Sequence, residues 1–402
     1  MNGFDYDLVI IGGGLVGSSL ALALRNAPLR IAIVDAQSEA QRRASPAGAR
    51  ALALAEGSVQ ILQRLGVWAA IEPDATPIRH IHVSDRGHFG KTRLDAEREG
   101  VKALGHVATA RAIEEAVIGA LHDAPADLLE QARLIGLKAG DDRICVTLRQ
   151  GDDTLNLTTR LVVGADGGDS SVRKLLDIGS TARDYGQTAI VLEVATERDH
   201  RNTAYERFTA SGPLAMLPID RKRCSVVWTL SHHDAEDVRS LPEAQFLATL
   251  QETFGHWVGR LSIATPRQAF PLKLIRADRM TDRRVVLIGN AVHQLHPVAG
   301  QGFNLGLRDA AQLAEGLIGR TEFGEDIGSA GFLEAYAASR SRDLQNVVFF
   351  TDSLVRLFSN RFAPLALARN LGLVALDCWP AAKQRLASHA MGLARRIPRM
   401  PS

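Results

Sequence analysis

The residues from Gly289 to Asp309, GNAVHQLHPVAGQGFNLGLRD, place a Pro-containing loop and a Gly-Gln-Gly turn directly before a helical stretch. The first turn of a helix leaves backbone N–H groups unpaired and carries a partial positive charge. Such a start favours an acceptor edge that gains negative charge during a reaction. A reduced isoalloxazine ring does so near N1 and its C2 carbonyl, and the glycines let it come close, so the segment reads as a flavin loop.

Two further glycine-rich segments could serve the rest of a dinucleotide. The apolar run Asp7 to Ile11 precedes Gly12, Gly14 and Gly17 in GxGxxG spacing, and the helical run SSLALALRN follows. In that context the first glycine permits a tight turn, the second lets backbone approach a pyrophosphate, and the third allows helix to pack on strand. A second apolar run, Arg30 to Val34, ends in Asp35, placed to accept hydrogen bonds from a ribose. The third segment, GADGGDSSVR (Gly164 to Arg173), follows the apolar Leu161 to Val163. Its Asp166-Gly167 pair suits a tight turn, and read alone it is a common turn signal.

The elements that must hold these segments are interleaved. The pattern predicts helices from Ser58 to Leu65 and from about Arg111 to His122, then strands near Leu129 to Leu137 and Ile144 to Leu148. Between Thr188 and Leu230 it turns to β, with Asp220 to Arg223 as a hairpin tip, and RVVLIGN (Arg284 to Asn290) leads into the flavin loop. After Leu305 helices dominate. With 47 Lys plus Arg against 45 Asp plus Glu, the charge is nearly balanced, which argues against a nucleic-acid binder. Cys145, Cys224 and Cys378 form no CxxC pair and read as reduced, mostly buried thiols. No apolar stretch reaches the length of a membrane span, and the N-terminus lacks the basic character of a signal peptide. The expectation is a cytoplasmic protein, or one lying on a membrane surface. His293 and His296 have no carboxylate or cysteine cluster to make them metal ligands.

In this order the three segments resemble the class A flavoprotein aromatic hydroxylases, the family of p-hydroxybenzoate hydroxylase, over nearly the whole chain. Within it, Asn290 in place of the usual Asp, ERFTASGPLAMLP (Glu206 to Pro218), TDSLVRLFSN (Thr351 to Asn360), HVSDRGHFG (His82 to Gly90) and LGHV (Leu104 to Val107) resemble the ubiquinone-biosynthesis branch. The resemblance implies an α/β fold, with a Rossmann-like FAD-binding domain (residues 1–75, 101–180 and 271–340) interleaved with a β-sheet substrate domain (76–100 and 181–270). A C-terminal helical region (341–402) completes it. It places Gly12, Gly14, Gly17 and Asp35 at the adenosine half of FAD, with Arg50 and Arg111 reaching the cofactor. Asp166, Gly167 and Asn290 then stand near the ribityl-pyrophosphate, and Pro297, Gly300, Gln301, Gly302 and Phe303 frame the isoalloxazine. Relatives often carry an Asp two residues before the loop arginine, where this chain has Gly48. Asn290 itself, an uncharged amide able to donate and accept, suits either a cofactor contact or a cap for the residues after it.

The implied activity is an FAD-dependent monooxygenase. NAD(P)H reduces the flavin, dioxygen adds to it, and a C4a-hydroperoxide transfers oxygen to an electron-rich phenol. A single GxGxxG implies that NAD(P)H docks transiently. The implied substrate is a lipophilic polyprenyl phenol. A sibling acting at another ring position, and a non-catalytic flavoprotein subunit of a biosynthetic complex, are the alternatives. On residues alone, Gly212 to Pro218 is a candidate strand facing the flavin across the substrate cavity, with Leu214 and Met216 on one face and Ala215 and Leu217 on the other, or else plain core. Leu344, Val347, Val348, Thr351, Val355 and Phe358 recur at helical spacing, widened by Phe349, Phe350, Leu354 and Leu357. The basic residues Arg361, Arg369, Lys383, Arg385, Arg395, Arg396 and Arg399 follow. This stripe either packs on the protein or lies against a membrane or a partner.

Overall fold

A computed structural model describes residues 3–295, 300–358, 363–393 and 396–399. His296, Pro297, Arg361 and Arg395, and the side chains of Phe350, Thr351, Leu354 and Val355, lie outside the described residues.

The nucleotide sheet is built on parallel strands in the order Val285–Leu287, Asp153–Gly164, Tyr6–Ile11, Ile31–Val34, Ala126–Leu129. Strands covered on both faces need apolar residues at every position, which is why DLVII and IAIV read as continuous runs. Leu8, Ile10, Ile33, Leu161 and Val163 pack under helices on one side, and Val9, Ile11, Val34, Val162 and Leu287 fill the other. The expected strand near Leu129 to Leu137 is in fact two, Ala126–Leu129 and Ala132–Ala139. Gln131 between them takes a positive φ of 54°, which no continuous strand accommodates.

The second sheet has nine strands and is mostly antiparallel, with Ser180–Thr196, Arg223–Ser231, Gly212–Asp220 and Thr203–Thr209 at its centre. The hairpin tip falls where expected, between Asp220 and Arg223. A small three-stranded sheet, Ala51–Ala55, Gly105–Thr109 and Thr76–Ile78, joins the two larger ones. Ile78 and Val107 pack with Ala204, and Ala51, Leu217 and Ile219 border them.

Alternation along Gly212–Asp220 assigns its two faces, and of the two readings of this strand the packing supports core for Leu214 and Met216. Leu214 and Met216 are fully buried against Trp228, Phe246, Leu250 and Phe254, beneath the Glu243–Phe254 helix. They are core of the substrate domain and do not line a cavity toward the cofactor. Ala215 and Leu217, on the opposite face, look toward the small sheet.

The Ala330–Phe358 helix carries the C-terminal apolar stripe. Leu344 is buried in the nucleotide core, with Val347 and Val348 packed against it. Phe358 stacks on Phe208 of the substrate sheet at a ring separation of 3.9 Å. Among the basic residues, Arg369 is no surface charge. It is 8% exposed and its Nε donates to Asp85 at 2.7 Å. Cys145 and Cys378 are exposed, and only Cys224 is buried. No described helix is long and apolar enough to cross a membrane.

Removing a buried Met side chain costs about 2–5 kcal/mol. Met216→Ala is therefore expected to lower the urea unfolding midpoint while leaving the substrate KM of the folded enzyme unchanged. A raised KM at unchanged stability would return Met216 to the cavity.

Candidate active site

At the first turn, Gly12 has φ +108°, and a Cβ there would lie 2.5 Å from the Ala165 carbonyl oxygen. A Cβ on Gly17 would lie 2.0 Å from the Gly12 carbonyl oxygen. Both glycines are therefore demanded by the protein's own packing. Gly14 differs, because a Cβ there meets nothing within 4 Å and its backbone is extended, at φ −74°. It is the N-cap of the Leu15–Ala23 helix, which has neither a side-chain cap nor an acid in its first turn. An open, uncapped helix start fits a pyrophosphate.

Asp35 closes the second strand as expected and braces the loop from behind. Its Oδ2 accepts from the Gly13 N–H at 2.8 Å, its Oδ1 accepts from the Gln37 N–H at 2.8 Å, and Arg42 lies 3.3 Å away. Arg42 is itself buried between Asp35, Glu114 and Glu130.

Asp166 is engaged within the protein. Its oxygens accept from the Ser170 hydroxyl at 2.6 Å and from the N–H groups of Ser171 and Val172 at 2.6 and 3.2 Å. Ser170 is the N-cap of the short Ser171–Leu175 helix, and Asp166 braces that cap and the first-turn N–H groups, so shaping the turn. Gly167 follows with φ +80°, the conformation glycine alone adopts freely. Arg173, at the end of this segment, ties the turn to Ala291 at the start of the third segment. Its guanidinium is buried and donates to the Gly168 carbonyl at 2.6 Å and the Ala291 carbonyl at 2.8 Å.

Asn290 is exposed and makes no side-chain hydrogen bond among the described residues, and no side chain caps the short helical turn it belongs to. Its amide is thus open to a ligand. Arg50 is exposed as well, its Nε donating to the Ala47 carbonyl at 3.1 Å. Arg111 reaches the Ser45 carbonyl at 3.3 Å. The departure at Gly48 finds its reason here, because a Cβ at Gly48 would stand 3.2 Å from the Arg111 Nε. The glycine makes room for that guanidinium.

The flavin helix, Gln301–Glu322, starts at Gly300 with φ +61° and no side-chain cap. Its outer side is open at Gly302, where a Cβ meets nothing within 4 Å. On its inner side Gly300 presses on the small sheet, its Cβ position 3.0 Å from the Ala53 side chain. Asn304, 2% exposed, stitches this contact: its amide donates to the Ala53 and Gly300 carbonyls at 2.8 and 2.7 Å, and its oxygen accepts from the Ala55 N–H at 2.9 Å. Phe303 packs on the nucleotide core, and Gln301 is 8% exposed.

The residue that the sequence reading missed is Asp309. It is 2% exposed, and its Oδ2 accepts from the Gly289 N–H at 3.1 Å and pairs with His293 Nε2 at 2.9 Å. Its Oδ1 accepts from Arg340 Nε at 2.6 Å, and Arg340 reaches Asp343 at 2.7 Å. Tyr336 donates to the Asp309 carbonyl at 3.1 Å. One carboxylate thus fastens the strand end before the flavin loop to the helix after it, and His293 is committed to that clamp. Burial pushes this carboxyl upward, yet the Arg340 and His293 charges beside it prevail and hold it down at about 2. A signal existed in the sequence: an acid between Leu307 and Ala310 sits in an apolar period and calls for a buried partner.

Taken together, these residues fit FAD. The chain offers two helix starts that no side chain caps, at Gly14 and Gly300, open space beside Gly14 and Gly302, and the exposed side chains of Asn290, Arg50 and Arg111. A sequence pattern for the FAD binding domain matches residues 5–351. The chain is similar to the ubiquinone hydroxylase UbiL of Rhodospirillum rubrum, at 38% identity over 401 residues covering 98% of this chain and 91% of the relative. It is 31% identical to the 3-demethoxyubiquinol 3-hydroxylase of Escherichia coli over 392 residues, covering 96% of this chain and 98% of that protein. Among solved structures, p-nitrophenol 4-monooxygenase PnpA from Pseudomonas putida DLL-E4 superimposes with a TM-score of 0.79 at 17% identity. That match covers 97% of this chain and 99% of the other, a likeness of fold.

Two outcomes follow from the geometry. Gly14→Ala leaves the apoprotein's stability within about 1 kcal/mol, since the new methyl meets no protein atom, but sharply reduces bound flavin measured by absorbance. Full flavin content in this variant would take the pyrophosphate away from Gly14. Asp309→Asn leaves the buried Arg340 short of a counter-charge and costs about 3 kcal/mol, with Asp343 still facing it. In the native protein the carboxyl at about 2, against an ordinary 3.8, stabilises the fold above pH 4. That contribution is lost as pH falls from about 4 through 2, and the variant's thermal midpoint, measured across this range, is expected to show a weaker pH dependence than wild type's.

Proposed function

This chain belongs to the FAD-binding-domain family and is an FAD-dependent monooxygenase, and from that premise we propose that it hydroxylates the aromatic ring of a polyprenyl phenol in ubiquinone biosynthesis. NAD(P)H is the reductant in this reading, and dioxygen supplies the oxygen atom. The observation that carries it is the Ala51–Ala55 strand. Ala53 meets Gly300 at the start of the flavin helix, while Ala51 packs beside Leu217 and Ala204 of the substrate sheet. That strand links the start of the Gln301–Glu322 helix to an apolar face of the substrate sheet, a juxtaposition that supports oxygen transfer to a lipophilic ring.

Bound FAD supplies the redox and oxygen-transfer chemistry. The chain's own part is to bind, orient and keep water out. The N–H groups at Gln301 to Phe303 would hold the flavin ring and stabilise negative charge that develops on it. Leu217, Ile219, Ala204 and Val107 form an apolar cluster where the small sheet meets the substrate sheet, a setting that supports a lipophilic substrate. Among ring positions, ERFTASGPLAMLP and HVSDRGHFG favour a reaction like that of 2-octaprenyl-6-methoxyphenol hydroxylase. The likeness to the Escherichia coli 3-demethoxyubiquinol 3-hydroxylase favours a sibling position as the second reading. For delivery of a substrate that lives in the bilayer, the exposed Leu371, Val374 and Trp379 support a peripheral contact.

The test is complementation of bacterial strains each lacking one quinone-ring hydroxylase, with the accumulated precursor identified by mass spectrometry. Rescue of one strain, together with substrate-dependent NAD(P)H oxidation by the purified holoenzyme, is the expected result. Rescue of none, with no turnover of any prenyl phenol supplied, overturns the reading.

A further inference from the structure

Along the Thr203–Thr209 strand the side chains alternate. Tyr205 belongs to the helix-covered core, and Ala204, Glu206 and Phe208 point the other way. Ala204 packs with Ile78 and Val107 of the small sheet, and Phe208 stacks on Phe358 of the C-terminal helix. Glu206 lies between these two contacts, on the sheet face that carries Leu217. Its neighbours in register are Ala215 and Val83. This is an apolar setting for a carboxyl group. Its Oε1 is sealed from solvent and has no hydrogen-bond partner among the described residues. Burial pushes the group up to about 7, with no neighbouring charge contributing.

A buried acceptor with no donor destabilises the fold that contains it. Leucine or methionine would serve plain packing better at this position. The group's environment therefore asks for a donor that arrives with a ligand. An anionic ligand group would meet a carboxyl with no cation beside it, whereas a neutral O–H on an otherwise apolar molecule matches both the carboxyl and its surroundings.

We propose that Glu206 accepts the hydrogen bond of the substrate's ring hydroxyl and so sets which edge of the ring is turned to the flavin. The inference rests on the reading of the substrate as a prenyl phenol. It makes Glu206 a substrate-binding and specificity-determining residue on the strand next to the one that bears Leu217.

The test uses the flavin-loaded holoenzyme and two soluble probes, 2-methoxy-6-(3-methylbut-2-enyl)phenol and its O-methyl ether, titrated by the change in flavin absorbance. Wild type is expected to bind the phenol about tenfold more tightly than the ether. Glu206→Leu is expected to keep its flavin, bind the ether as wild type does within about twofold, and lose the preference for the phenol. Glu206→Gln, which retains a carbonyl acceptor, keeps most of that preference. Should the leucine variant lose flavin, Glu206→Met provides the same comparison. A phenol preference that survives in the leucine or methionine variant overturns this inference and leaves the substrate class standing. Equal binding of both probes by wild type also overturns it alone, and binding of neither overturns the substrate class with it.

Discussion

The site depends on one buried carboxylate. The strand end at Gly289 and the helix from Gln301 are brought together by Asp309, which bonds the first through its backbone N–H and belongs to the second. A carboxylate at 2% exposure is stable only because Arg340 and His293 stand against it. The two anchor points are fixed, so the N–H groups at the helix start are held in place before any ligand comes. Catalysis by oriented dipoles has value only when the dipoles do not have to reorganise.

Around this clamp the glycine segments are held by side chains as well as by strand pairing. Arg173 links the turn at Gly168 to Ala291, and Asp35 supports Gly13 from the second strand. Asn304 binds the flavin helix to the small sheet. Each of these groups is polar, largely buried and fully occupied by the backbone of a neighbouring segment. The candidate site is therefore a framework of hydrogen-bonded groups with two helix starts that no side chain caps, at Gly14 and Gly300.

Much of this was legible in the sequence where constraints are local. Gly12 and Gly17 are required by atoms a few residues away or in the adjacent strand, and GxGxxG spacing records that requirement. The hairpin at Asp220 to Arg223 was legible for the same reason. What depends on distant packing was not. A period of two divides Gly212–Asp220 into faces, but which face is core depends on where the Glu243–Phe254 helix lands. Asp166 has the right position for a ligand, yet its oxygens turn to the helix that follows. Asp309 finds its cation on another helix, in Arg340, and Gly48 is explained only by Arg111 lying over it.

The Ala330–Phe358 helix bears both Arg340 of the clamp and Phe358 on the substrate sheet. At about 1.5 Å rise per residue, a continuous helix fixes the axial span between those two points at roughly 27 Å. It works as a ruler laid across the molecule. The clamp at Arg340 and the Phe208 contact at Phe358 are thus held at a set separation by one continuous element.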